Sequence, residues 1–217
     1  DRIKGSKEIS ESIITLIENF KAQKPEESIK GLIEIRSLIQ KNIKNEYWKT
    51  QKLTDIDELI LACAGIFAEA IADTYSATPG ESVSLNAAII HRTNSPISLL
   101  KISTPGYSSD TLISASIPYN TLQNIPRSIK IPENAKYTNP YWLEKRNSIG
   151  RFTSTDPILI GIPEAVSAIQ IELQIKINDD TFKLVRPLQY KWVDPVRVSR
   201  PGRCTVDRPN RVPAPLQ

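Results

Sequence analysis

The residues of this chain best suited to chemistry lie between Glu133 and Glu164. Tyr137, Tyr141 and Trp142 gather three aromatic rings around Pro140. A flat ring with a polar tip can stack under a sugar face or fill an apolar seam. Glu133, Glu144, Asp156 and Glu164 supply carboxylates in the same stretch. Two carboxylates can hydrolyse a glycoside without any histidine, one as acid and one as base or nucleophile. The sequence gives no distance between them, so solvated surface acids are the competing reading. Trp142 has the same ambiguity. The favoured reading is that it plugs the core of a sheet domain or its seam with helices; the alternative is that it joins Tyr137 and Tyr141 as a ligand-binding platform.

Other reaction classes lack their parts. His91 is the single histidine, set in Ile89-Ile90-His91-Arg92-Thr93 at a strand end, where a surface or hydrogen-bonded structural role is expected. No Gly-x-Ser-x-Gly elbow accompanies it. Metal sites need several histidines, cysteines or clustered acids. Asp55, Asp57 and Glu58 cluster at an expected helix start, where capping accounts for them. Asp179 and Asp180 fit a turn, with a calcium loop as the alternative. The eight glycines follow no phosphate-cradling spacing. Cys63 and Cys204 belong to no Cys-x-x-Cys pair, and Cys63 reads as a small buried hydrophobe. The expectation is a chain with no catalytic residues, no metal ligands and no cofactor of its own.

Charge narrows the partners. The net charge is +4 over 217 residues, but residues 197–217 hold five arginines and one acid, so they account for all of it. The remaining body is neutral, which argues against a nucleic-acid-binding protein. Residues 197–217 are also rich in proline and contain no lysine, so they read as a disordered or non-native Arg/Pro-rich tail. No run of apolar residues is long enough to span a membrane as a helix. The chain lacks methionine altogether and starts at Asp1, which suggests a fragment or a processed product.

Periodicity supplies the elements that must position these residues. Ile9, Ile13, Leu16, Ile17 and Phe20 share helical spacing from Ser6 onward. A second helix opens at Pro25-Glu26-Glu27, suited to a first turn, and carries Ile29, Leu32, Ile33, Ile39 and Ile43. A third is expected to start at Thr54, with Thr54 and Asp57 forming a capping box. It would run through Leu59, Ile60, Cys63, Ile66, Phe67, Ala70 and Ile71, with Ala62, Ala64, Gly65 and Ala68 on another face. Beyond Ala77-Thr78-Pro79-Gly80 the period becomes two. Residues 83–87, 97–102, 112–117 and 129–131 read as short strands separated by prolines, and 166–193 as a hairpin turning at Asn178-Asp179-Asp180. The fold expected is α+β: about three helices over 1–76, then an antiparallel immunoglobulin-like β-sandwich over 77–196, then the tail from 197 to 217.

Several motifs carry a family resemblance. Leu59-Ile60, Gly65-Ile66-Phe67-Ala68-Glu69-Ala70 and Thr78-Pro79-Gly80-Glu81 are among them. So are Asn139-Pro140-Tyr141-Trp142-Leu143, Ile160-Gly161-Ile162-Pro163-Glu164 and Tyr190-Lys191-Trp192-Val193-Asp194-Pro195-Val196. Together they resemble the region downstream of the catalytic domain in large bacterial PIG-L (LmbE-like) de-N-acetylases. The likeness spans nearly all of residues 1–197. It implies a parent with a zinc-dependent domain that deacetylates N-acetylglucosamine-type sugars, placed outside the cytoplasm in the periplasm or secreted. That domain's His-Pro-Asp-Asp-Glu motif has no counterpart here, so no catalytic or zinc-binding residue is carried over, and zinc would belong to the parent's catalytic domain. The chain departs from the family pattern after Arg197, where the tail begins. The expected function is a non-catalytic accessory region that supports the adjacent deacetylase domain or binds carbohydrate at Tyr137, Tyr141 and Trp142. The alternatives are a stand-alone structural or adhesion module, and a glycan hydrolase using Glu144 and Asp156.

Overall fold

The computed structural model describes residues 5–107, 110–146, 148–154, 156–161, 168–192 and 200–207. Glu164, the Asp194-Pro195-Val196 motif and the tail beyond 207 lie outside the described residues. The architecture is α+β. Three N-terminal helices precede a curled, mixed sheet of many strands.

Helix α1 spans Ser6–Glu18, α2 spans Ile29–Asn42 and α3 spans Glu46–Cys63. A 3-10 turn at Pro25–Ser28 leads into α2. The apolar stripe of α2 buries Ile29, Leu32, Ile35 and Ile39, and α3 answers with Ile56, Ile60 and Leu61. Two corrections concern α3. It starts at Asn45, whose side chain accepts from the amide of Trp48 as an N-cap, not at Thr54. Thr54 lies mid-helix and donates to the carbonyl of Thr50, while Asp57 is taken by Arg36, with Nε to Oδ1 at 2.6 Å. The helix also ends earlier than periodicity suggests. Gly65 adopts φ +63°, and the amide of Arg92 bonds its carbonyl at 3.0 Å. Thr93 Oγ1 donates to the carbonyl of Ala64 at 2.7 Å. A left-handed glycine whose neighbours satisfy the last carbonyls closes a helix.

Past Gly65 the chain becomes strand β1, Ile66–Ala72, instead of more helix. Ala68, Ala70 and Ala72 are buried and alternate with residues on the other face. The further strands are β2 (Ser76–Ala77), β3 (Ser82–His91), β4 (Ile97–Ser103), β5 (Thr111–Ser116), β6 (Gln123–Lys130), β7 (Gln170–Ile177), β8 (Asp180–Trp192), β9 (Arg200–Arg203) and β10 (Thr205–Val206). The main sheet runs β5-β4-β7-β8-β1-β3-β6, with β9 also on β8. The expectation of an antiparallel sheet is corrected by two pairings. β1 runs parallel to β8, matching Ala70–Ala72 with Leu188–Tyr190, and β10 runs parallel to β2.

Strand β8 explains the curl. Its first part, Asp180–Pro187, pairs with β7; its last part, from Leu188 on, pairs with β1 and β9. Pro187 sits where the partners change, and a proline lacks the amide that would continue a ladder. The hairpin between β7 and β8 turns at Asn178, φ +53°, as the Asn-Asp signal predicts. Val83, Leu85, Ala87 and Ile89 of β3 and Ile171, Leu173, Ile175 and Ile177 of β7 belong to one continuous core, which also takes in the helical side chains. The two end strands approach each other: Arg127 of β6 donates to Thr111 Oγ1 of β5 at 2.7 Å. Pro126 lies within β6, an end strand where a missing amide is tolerated.

Part of the C-terminal segment joins the sheet. Within the segment expected to be a tail, residues 200–206 contain two short paired strands. β9 pairs with the end of β8, and β10 pairs with β2. Cys204 and Val206 are fully buried in the common core. Gly202 lies directly under the Trp192 ring, where even a Cβ would come within 2.8 Å of it.

Candidate functional site

Tyr137 and Tyr141 line one cleft of about 450 Å³, together with Tyr107, Asn134, Lys136, Asn139 and Glu144. Tyr141 also lines a second cleft, of about 420 Å³, with Trp142, Phe152, Ser154 and Ile160. Tyr141 therefore forms a wall common to both. It belongs to a 3-10 turn, Tyr141–Leu143, which starts after Pro140 with φ −56° and ψ 141°. Proline fixes that entry, and the residues after it turn back. Two contacts hold the Tyr141 ring. It meets Trp142 edge to face, with centroids 5.0 Å apart and planes at 89°, and its hydroxyl accepts from the Gly161 amide at 3.1 Å. Both rings are half-buried, and Tyr137 is more exposed.

Trp142 does not plug the core, which corrects the reading favoured from its sequence. It stands outside the core cluster and lines a cleft with the exposed Phe152 and Ile160. Segment 137–161 has few regular elements, so its aromatics are not drawn inward by any strand alternation. That leaves rings partly exposed at a concave surface, the arrangement a ligand platform needs.

The C-terminal strand fixes the cleft from behind. The Thr138 amide donates to the carbonyl of Val206 at 2.8 Å, and the Val206 amide donates to Thr138 Oγ1 at 3.0 Å. Thr138 lines the first cleft between Tyr137 and Tyr141. No signal in the sequence connects residue 138 with residue 206, because β10 looks like part of an Arg/Pro-rich tail. On the far side Tyr107 donates its hydroxyl to the carbonyl of Ala168 at 3.1 Å, and burial pushes its pKa up.

Among the described residues, the singled-out acids do not line one of these clefts as a pair. Glu144 lines the first cleft, and Glu133 lines a third, of about 650 Å³, with Ser82, Tyr107, Ser128, Lys130 and Pro132. Asp156 lies in a turn, where its carbonyl accepts from Ser154 Oγ and the Leu159 amide. His91 is buried at the end of β3, with Nδ1 2.9 Å from the Thr93 carbonyl and Nε2 2.8 Å from the Ile117 carbonyl. Both ring nitrogens face backbone oxygen, so the imidazole ties β3 to the segment after β5 and presents nothing to solvent. Among the described residues, no three His, Cys, Asp or Glu side chains are grouped to hold a metal. Cys204 is buried, and desolvation, helped by the carboxylates of Asp73 and Asp207, pushes its thiol up to about 11. A thiol so held is a packing group, not a nucleophile. Among the described residues, no helix is long and apolar enough to cross a membrane.

No family model and no curated protein matches the chain. Two solved structures show limited similarity. One is Spo0M, a sporulation control protein from Bacillus subtilis, at 12% identity and a TM-score of 0.31, covering 66% of this chain and 50% of that one. The other is the alkylpurine DNA glycosylase AlkC from Pseudomonas fluorescens, bound to DNA containing an abasic site analog, at 9% identity and a TM-score of 0.27. That match covers 77% of this chain and 48% of that one. The chain thus spans about half the length of each, and likenesses this slight carry no functional argument.

Proposed function

We propose that this chain is a non-catalytic region that binds carbohydrate through Tyr137, Tyr141 and Trp142. The observation that carries the reading is the position of Tyr141, a fixed aromatic wall shared by two clefts. Cavities of this size suit a small ligand. Their lining mixes rings for stacking with amides and hydroxyls for directional hydrogen bonds: Asn134, Thr138 and Asn139 in one cleft, Ser154 in the other. The cationic Lys136 and anionic Glu144 offset each other, which suits a neutral ligand.

The resemblance to PIG-L (LmbE-like) de-N-acetylases extends the proposal to a parent enzyme whose zinc-dependent domain this region serves. An immunoglobulin-like ancestry of the sheet is part of the same proposal; two groups of strands joined through β8 around one core support it. A second reading, a seat for the deacetylase domain, is favoured by the exposed Leu143, Ile149, Phe152 and Ile160 in the same segment.

The test is a glycan array and solution titration with the purified chain, beside Tyr141→Ala and Trp142→Ala. Binding to at least one neutral glycan, weakened at least tenfold in both variants with the fold intact by circular dichroism, is the expected result. A folded chain that binds no glycan would leave only the docking reading.

A further inference from the structure

The three clefts adjoin in series, the first between the other two. The first and third share Tyr107 and Pro132, and the first and second share Tyr141. Their volumes of about 650, 450 and 420 Å³ each suit a ligand unit, which is far more room than a single small sugar occupies. We infer that the site takes an extended, uncharged oligosaccharide across three adjoining subsites. This rests on the carbohydrate reading above and adds the length and charge of the ligand.

Charge and geometry support the inference. The third and first clefts present Lys130 and Lys136 against Glu133 and Glu144, two cations and two anions, so neither polyanions nor polycations are selected. The lining also changes in kind along the surface. The outer cleft offers the hydroxyls of Ser82 and Ser128, the central one tyrosines and amides, and the far one Trp142 and Phe152. A polymer whose units each carry an apolar face and a hydroxyl rim can match either kind of surface.

An extended peptide is the rival occupant, and the register shows the outer cleft to be lined by side chains of a sheet face. Ser82 pairs with Lys130 and Ser84 with Ser128 in the β3–β6 ladder, while the pair between these, Val83 and Ile129, is buried in the core. The outer cleft is therefore built on the outward side chains of a sheet face. A peptide that adds to a sheet uses the backbone groups of a strand edge instead.

Linked subsites make affinity grow with ligand length until the groove is full. The experiment titrates the purified chain with glucose and N-acetylglucosamine, and with their uncharged β-linked oligomers from two to six units. Affinity is expected to rise at least tenfold from monomer to tetramer and then level off. Trp142→Ala at one end and Ser128→Leu at the other, each confirmed as folded, are expected to reduce that gain. Equal affinity for monomer and hexamer overturns the extended groove and leaves the carbohydrate reading intact. Preference for charged oligomers, or for peptides over these glycans, overturns the inference. Loss of all glycan binding overturns both.

Discussion

Val206→Ala discriminates between a packed C-terminal strand and a loose tail. Val206 is fully buried, so the substitution removes two methyl carbons from the core. Each buried carbon contributes roughly 0.8 kcal/mol in transfer, and incomplete collapse adds a cavity cost, giving about 2 kcal/mol in all. For a chain of this size that lowers the melting temperature by about 4–8 °C. The backbone bonds between Val206 and Thr138 do not involve the side chain of Val206, so the cleft keeps its support and glycan affinity changes little. Urea denaturation followed by tryptophan fluorescence measures the loss. Leu122→Ala, at a half-exposed position, is the control and should stay within about 0.5 kcal/mol. If Val206→Ala is equally silent, residues 200–207 are not part of the core and the account of the cleft's rear wall fails with them.

Gly65→Ala tests the helix-to-strand junction. A left-handed backbone costs an L-residue roughly 1–2 kcal/mol. Here the new Cβ also meets the Arg92 amide nitrogen and Thr93 Cγ2 at 3.1 Å. Gly106→Ala, also at positive φ but with nothing within 4 Å, shows the backbone cost alone, so a larger loss at Gly65 in urea denaturation is expected and an equal loss refutes the junction. Cys204 gives a pH signature. Its thiol titrates near 9 unfolded and is pushed up to about 11 when folded, so the native state holds its proton longer. Its stabilisation is complete below pH 9 and disappears between about pH 9 and 11. The stability difference between wild type and Cys204→Ala should shrink across that window, and a difference independent of pH would contradict the burial.

Much of the fold was legible because it rests on local patterning. The stripe Ile29, Leu32 and Ile39 and the alternation Ile171, Leu173, Ile175 and Ile177 report their elements directly, since helix and strand expose different faces to a core. The segment 66–72 was not legible in the same way. Ile66, Phe67, Ala70 and Ile71 satisfy helical spacing, while Ala68, Ala70 and Ala72 satisfy strand alternation. Arg92 and Thr93, remote in sequence, settle it by capping the chain at Gly65.

The candidate site divides along the same line. By its residue types alone the chain marked Tyr137, Tyr141 and Trp142 as rings that either stack on a ligand or pack inside, and local pattern contains nothing to choose between them. Tertiary structure placed Trp142 outside the core and made Tyr141 a shared wall. It also turned an Arg/Pro-rich segment into the strand behind Thr138. The short strand β10 has too few residues to show a period, and it is ordered by partners far away in sequence, β2 and Thr138. Composition reports the average solvation of a segment; only the folded chain reports which of its backbone groups and side chains find such partners.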